Sequence, residues 1–179
     1  MKIAQVAPLF ESVPPKTYGG TERVVHFLTE ELIRQGHEVV LYASGDSRTS
    51  ARLHAIMPEA LRLSGRADGN ITWQLLQLAA VARAAHSFDI IHFHTDFLHF
   101  PLWRHIPVPQ VSTLHGRLDI PDLRVIFAEF PDMPVISISN DQRAPLPGAR
   151  WSGTVYNGLP EQMYDFQPRG GDYLAFLGR

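Results

Sequence analysis

The sequence predicts an α/β domain, a Rossmann-like, open and mostly parallel sheet with helices on both faces. Three observations carry that prediction. Short apolar runs, such as Ile3 to Ala7, Val39 to Ala43 and Ile90 to Phe93, have the continuous character of strands buried on both sides. The first two flank a helical stretch closed by Gly36, which makes one βαβ unit. Polar residues then gather where strands end, as they do in open sheets whose ligands bind beyond the carboxyl ends of the strands.

The totals narrow the function classes. A chain of 179 residues is long enough for one well-buried domain, and two full domains would be cramped. Its apolar fraction of 45% and charged fraction of 19% are those of an ordinary soluble globule. A net charge of −2, with no basic run, argues against a nucleic-acid or anionic-membrane surface. With no cysteine, disulfides, thiolate metal sites and cysteine nucleophiles are excluded. Met1 to Pro8 is too short and interrupted for a signal peptide, and no apolar run approaches the roughly 20 residues that span a bilayer. The expected location is cytoplasmic, with peripheral attachment at the inner face of the membrane left open. Asn70-Ile71-Thr72 matches a glycosylation sequon and reads as chance without a secretory signal.

In chain order, Lys2 to Ala7 is the first strand. A proline-bearing loop leads to Tyr18-Gly19-Gly20-Thr21, which opens a helix from about Thr21 to Gln35. Val24, Val25, Phe27, Leu28, Leu32 and Ile33 form its apolar stripe, and Glu22, Arg23, Glu30, Glu31 and Arg34 are expected to face water. Gly36 supplies the C-terminal cap, and Glu38 to Ala43 is the second strand. Arg48 to Ala67 reads as irregular, with a short strand at Arg52 to Ile56. Asn70 is expected to cap a helix reaching His86, with Ile71, Leu75, Leu78, Ala79 and Ala82 buried. Strands follow at Asp89 to His94, Gln110 to His115, Val135 to Ser139 and Gly153 to Gly158, with a helix at Asp122 to Glu129. Pro160 to Gly171 has a linker's composition, and Asp172 to Arg179 carries a strong strand signal.

The candidate chemistry lies at the strand ends. Gly19 and Gly20 allow close approach of a ligand to the backbone, and the free N–H groups of the first helical turn suit a phosphate or carboxylate. The plainer reading is a tight turn capped by Thr21. His92, His94 and Asp96 share a strand face by alternation and could fill three metal positions, although histidines at strand ends often only bond neighbouring loops. His115 could act as base, acid or hydrogen-bond donor to a substrate hydroxyl, or could pin the Arg117–Asp119 loop. Ser139, Asn140 and Asp141 close the next strand, and Asp46 and Asp141 read as turn or cap residues. No Ser-His-Asp order or nucleophile-elbow spacing is present.

Read together, Tyr18-Gly19-Gly20-Thr21-Glu22-Arg23-Val24, Gly36-His37-Glu38-Val39, Asp89 to His94, Thr113-Leu114-His115-Gly116, Ile138-Ser139, Val155-Tyr156-Asn157-Gly158 and Phe176-Leu177-Gly178-Arg179 resemble glycosyltransferase family 4 in order. These are retaining nucleotide-sugar transferases with two Rossmann-like domains facing a cleft, the GT-B fold. The resemblance implies that Gly19 and Gly20, with Thr21, lie against the donor diphosphate and acceptor. It implies that His115 is the catalytic-site residue reaching the transferred sugar. Ser139 and Arg179 fall at positions facing donor or acceptor, Arg179 opening the donor domain. His92, His94, Asp96 and Gly116 are candidate acceptor-cleft residues.

No cofactor or metal is expected, the nucleotide sugar being a substrate and the acceptor a carbohydrate, lipid or small molecule. The implied organisation is an acceptor-side domain at 1–158, a linker at 159–171, and at 172–179 the first strand of a donor-binding domain that the chain otherwise lacks. The chain alone is expected to transfer sugar slowly or not at all, and the strand at 172–177 to be disordered, folded back or paired with a second copy. The segments Ser44 to Gly69 and Phe97 to Pro109, with Trp103 and Arg104, are expected to shape the acceptor site, unless they are packing. Two other readings are a sugar- or phosphate-binding module without chemistry and a His-metal hydrolase.

Overall fold

Alternation along one strand sorts the helices onto two faces of the sheet. In β2 (Glu38–Ala43), Val40 and Tyr42 join Ala4, Val6, Ile91 and Phe93 in a core with Leu78 and Val81 of α2 (Asn70–Ala84). Their neighbours Leu41 and Ala43 pack with Ala7 on Val25 of α1 (Gly20–Arg34), on the opposite face. The computed structural model describes residues 1–65, 70–165, 168–172, 174 and 176. Its other strands are β1 (Lys2–Val6), β3 (Arg52–Ala55), β4 (Ile90–Phe93), β5 (Gln110–Leu114), β6 (Pro134–Ser137) and β7 (Arg150–Thr154). The strands run in the order β3-β2-β1-β4-β5-β6-β7, and every neighbouring pair is parallel.

The expected fold class is therefore present, with the sheet wholly parallel among the described residues. The chain builds outward from β1 to β2 and β3, then α2 returns it across the sheet to β4. Strand order thus reverses between β1 and β4, the place where an open sheet leaves a crevice for a ligand. On the far side, Leu123 and Phe127 of α4 (Pro121–Glu129) cover Leu114 and Val135. Gly36 caps α1 with φ 84°. The Gly36 N–H reaches the Ile33 carbonyl and the His37 N–H reaches that of Leu32, a Schellman arrangement.

The structure corrects several expectations. α1 begins at Gly20 with Gly19 as its N-cap and no side-chain cap bond, so Thr21 is a helical residue. Glu22 does not face water; it is 5% exposed, and with Val25 and Thr29 it forms the helix's most buried row. That row is partly polar because it lies over the sheet face that carries the polar side chains of Gln5 and the site histidines. Asn70 is the first residue of α2, its side-chain oxygen accepting from Gln74 Nε2 at 3.4 Å. Ile71 and Leu75, expected inside, are 48% and 55% exposed.

Leu78 is buried as expected, and Gln74, Gln77 and Val81 are buried in place of Ile71 and Leu75. The reason is local: this end of α2 covers strand ends whose carbonyls need donors. Gln77 Nε2 donates to the Ala7 and Tyr42 carbonyls at 3.1 and 3.0 Å. Gln77→Leu is expected to destabilise the domain by about 1–3 kcal/mol, because an apolar side chain leaves the Ala7 carbonyl without this donor. A lower urea midpoint at unchanged slope would show it.

The remaining corrections concern loops and edges. A short helix, α3 (Phe100–Trp103), occupies part of the segment expected to shape the acceptor site. Trp103 is buried edge-on against Phe93, and Arg104 donates to the Glu129 carbonyl at 2.7 Å and pairs with Glu129 and Asp132. Both are packing residues. β6 stops at Ser137, so Ser139 follows it in a turn. β7 runs earlier than expected because Trp151, held by its Nε1 on the Leu146 carbonyl, seats the strand, while Val155 and Tyr156 are exposed. The expected strand at 172–179 falls mostly outside the described residues; Leu174 and Phe176 are exposed. Among the described residues, no helix is long and apolar enough to cross a membrane.

Candidate functional site

At the carboxyl ends of β1, β4 and β5 lies a cleft of about 600 Å³. The loop after β1 contributes Tyr18 and Gly19, and the start of α1 contributes Gly20, Thr21 and Glu22; the loop after β4 contributes His94, Thr95 and Asp96; His115 and Gly116 follow β5. Gln74, Arg62 and Asn157 add polar groups to its rim, and Pro8, Phe10, Phe97 and Leu98 give it apolar surface.

Gly19 is required by close approach. A Cβ there would lie 2.8 Å from Pro15 Cβ and 2.9 Å from Glu22 Oε2, whereas one at Gly20 would meet nothing within 4 Å. The Glu22 carboxyl folds back toward the start of its own helix, where the backbone N–H groups of Glu22 and Glu11 favour its charged form. A carboxylate of the chain thus already answers part of the positive helix end, where the sequence suggested an open anion cradle. Burial pushes the Glu22 carboxyl up, and the charge of Glu11 adds to it. Glu11 is itself buried and paired with Arg62, whose guanidinium lies 5.8 Å from the Tyr18 ring.

The histidines form a connected polar row. Sheet register sets Gln5 beside His92, and alternation puts His94 on the same face. His92 Nε2 bonds Thr113 Oγ1 at 2.8 Å, and the His92 and His94 rings lie 4.2 Å apart. His94 Nε2 donates to Gln5 Oε1 at 2.8 Å, and its Nδ1 meets His115 Nε2 at 2.9 Å. Burial disfavours the imidazolium throughout this row. His92 is lowered to about 4, with the His115 charge adding to the effect. His115 is lowered to about 4 by burial alone, and His94 lies well below the ordinary value. Three neutral rings at pH 7 are hydrogen-bonding groups and poor general acids.

Asp96 has φ 53°, and it is the one non-glycine residue with positive φ among those described. Its carboxyl is raised by burial and has no hydrogen-bond partner among the described residues. A strained residue with a free carboxyl at a cleft fits a ligand contact.

Of the residues singled out from sequence, Gly19, Gly20, Thr21, His94, Asp96, His115 and Gly116 line this cleft, and His92 stands behind them. Ser139 lines a shallower depression that shares His115 and Gly116; its Oγ accepts from the Gln142 N–H, a turn-closing role. Arg179 lies outside the described residues. Both nitrogens of His94 and Nε2 of His92 are engaged, and no group of three or more potential metal ligands converges among the described residues. His115 does not pin the Arg117–Asp119 loop. Those two pair with each other, and Gln142 holds the Leu114 and Gly116 carbonyls. Sequence reasoning missed Gln5, Glu11, Arg62 and Gln74. Only Gln5 left a signal, as the one polar residue inside an apolar strand.

An open parallel sheet with a cleft at its switch point defines a Rossmann-like α/β domain. A family model for Glycosyltransferase Family 4 matches residues 18–152, and the chain belongs to that family. Among solved structures, the chain is similar to AviGT4, a glycosyltransferase involved in avilamycin A biosynthesis, with TM-score 0.55 and 22% identity over 87% of this chain and 41% of that one. It is also similar to sucrose-phosphate synthase from Thermosynechococcus elongatus, with TM-score 0.60 and 13% identity over 87% of this chain and 47% of that one. These are likenesses of fold. The chain spans less than half the length of either structure. No curated protein matches it.

Proposed function

We propose that this domain is the acceptor-binding half of a retaining glycosyltransferase, which moves a sugar from a nucleotide-sugar donor to an acceptor hydroxyl. It works against a second domain that holds the donor. Family membership and the coverage of less than half of each structural neighbour support the two-part reading. The observation that carries the acceptor role is the character of the cleft. It offers acceptors of hydrogen bonds in His115 Nδ1, Asp96 and Glu22, and Arg62, the one Arg or Lys lining it among the described residues, is already paired with Glu11. Hydroxyl groups suit such a surface, and anionic groups do not.

In the transfer, the acceptor oxygen bonds to the anomeric carbon as the bond from that carbon to the diphosphate oxygen breaks. The acceptor proton passes to the departing diphosphate, on the same face of the sugar, so configuration is retained. Neutral His115 orients the sugar through a hydroxyl hydrogen bond. Cations on the donor side, Arg179 among them by resemblance, answer the leaving charge, and the scheme calls on no metal.

The test is a transfer assay with nucleotide-sugar donors and sugar or lipid acceptors, on the full-length gene product and on the 179-residue chain. Turnover is expected from a two-domain protein and not from this chain alone. His115→Ala should lower kcat/KM on the order of 10²-fold, as loss of an orienting contact does. Clear turnover by the isolated chain would remove the two-domain requirement. Sugar binding by the full-length protein without turnover would establish a binding module in place of an enzyme.

A further inference from the structure

We infer that Gln5 and His94 are positioning residues that set the proton arrangement of His115, so that its Nδ1 meets the substrate as a hydrogen-bond acceptor. The order of protons is fixed from one end. Gln5 Oε1 carries no hydrogen, so His94 Nε2, at 2.8 Å, is the donor of that bond. His94 is 2% exposed and neutral at pH 7, so its Nδ1 keeps a lone pair. At 2.9 Å from that lone pair, His115 Nε2 is the donor of the second bond. The single proton of neutral His115 is thereby assigned to Nε2. Nδ1 has no partner among the described residues and is not buried. One amide oxygen decides what an imidazole two links away presents to the cleft.

The burial of Gln5 favours this role over simple packing. It is fully buried in the middle of β1, where an aliphatic side chain would fill the same space. Its Nε2 has no partner among the described residues, so the bond to His94 is what the side chain offers there. A ring nitrogen with the proton reversed would point N–H at a sugar hydroxyl and require that hydroxyl to accept. Choosing the tautomer selects the direction of the bond. This role rests on the reading of His115 as the residue that meets the sugar.

The test is spectroscopic and needs no substrate. In the ¹⁵N-histidine-labelled chain at pH 7, long-range proton–nitrogen spectra should place the protons of both His94 and His115 on Nε2. A scalar coupling should link His115 Nε2 to His94 Nδ1 across their hydrogen bond. In Gln5→Leu that coupling should be lost and His94 should no longer hold one tautomer. Gln5→Glu keeps an acceptor oxygen and should restore both signals. A proton on Nδ1 of His94 or His115 in the unsubstituted chain would overturn the inference, as would a Gln5→Leu spectrum with tautomers and coupling unchanged. If Gln5→Leu fails to fold, the tautomers of the unsubstituted chain and of Gln5→Glu decide alone. Reversed tautomers beside an inactive His115→Ala enzyme sink only the relay. The expected tautomers beside a fully active His115→Ala enzyme sink only the sugar-contact reading.

Discussion

Acidification from pH 7 to pH 4.5 should remove most of this domain's stability, well before its carboxylates are fully protonated. Burial holds His92 and His115 at about 4 and His99 at about 3, while the unfolded chain titrates them near the ordinary 6.5. Between those limits the unfolded state binds protons that the native state refuses, so the unfolding free energy falls as pH falls. The stability is complete above about 6.5 and is lost progressively down to about 4. Each ring contributes on the order of 3 kcal/mol over that span. His92, His94 and His115 repel one another when charged, so their contributions are coupled and do not simply add.

A combined loss above about 6 kcal/mol would rival the whole stability of a typical domain. Glu22 and Asp96 act the other way, because burial raises their carboxyls and their protonation favours the native state. Two groups of modest shift do not offset the histidines. Urea midpoints at pH 7.5, 6.5, 5.5 and 4.5 would show the decline, and a midpoint flat from pH 7 to 5 would refute it. His99→Phe should flatten the curve. His99 stacks on Phe93 at 3.8 Å and bonds Ser112 Oγ at 2.9 Å, in a pocket that takes an aromatic ring without a proton to refuse.

The strands were legible because each buried run is apolar over its whole length, and a strand covered on both faces needs nothing else. Helix faces were less so. α2 carries Ile71, Leu75, Leu76, Leu78 and Val81 around much of its circumference, so periodicity did not single out one side. The deciding residue was Gln77, buried to serve strand carbonyls and not to avoid water, while Gln74 is buried beside it with its Nε2 on Asn70 Oδ1. Likewise Glu22 read as a solvent-facing residue because a carboxylate is rarely buried unpaired. Its burial depends on the loop after β1 lying against the start of α1.

At the site, strand ends placed His94, Asp96 and His115 in one cleft, as the sheet rule requires. What the sequence could not supply was lateral register. Gln5 and His94 are 89 positions apart and meet only because β1 pairs with β4 in the register that sets Ile3 beside Ile90. The same holds for Arg62 and Glu11, which come from two irregular loops. Candidate atoms were readable from local chemistry, and their hydrogen-bond partners were not.

The two neighbouring glycines should separate folding from ligand clearance. Gly19→Val is expected to cost about 2–5 kcal/mol, combining overpacking with backbone strain. Its new Cβ would sit at 2.8 Å from Pro15 Cβ and 2.9 Å from Glu22 Oε2, and φ of 155° suits glycine there. The proline belongs to a packed loop and Glu22 is buried, so neither can retreat without exposing apolar surface or a carboxylate. A Cβ at Gly20 meets no atom within 4 Å, so Gly20→Val should change stability by no more than about 0.5 kcal/mol. Yet its side chain would stand at the cleft where a ligand must approach the helix start. The expected pattern is a lowered urea midpoint for Gly19→Val, and for Gly20→Val an unchanged midpoint with sugar transfer lost in the full-length protein. Equal destabilisation by both would mean that the loop needs its glycines for folding alone. Unchanged transfer by Gly20→Val would move the ligand away from the helix start, toward Asp96 and His115.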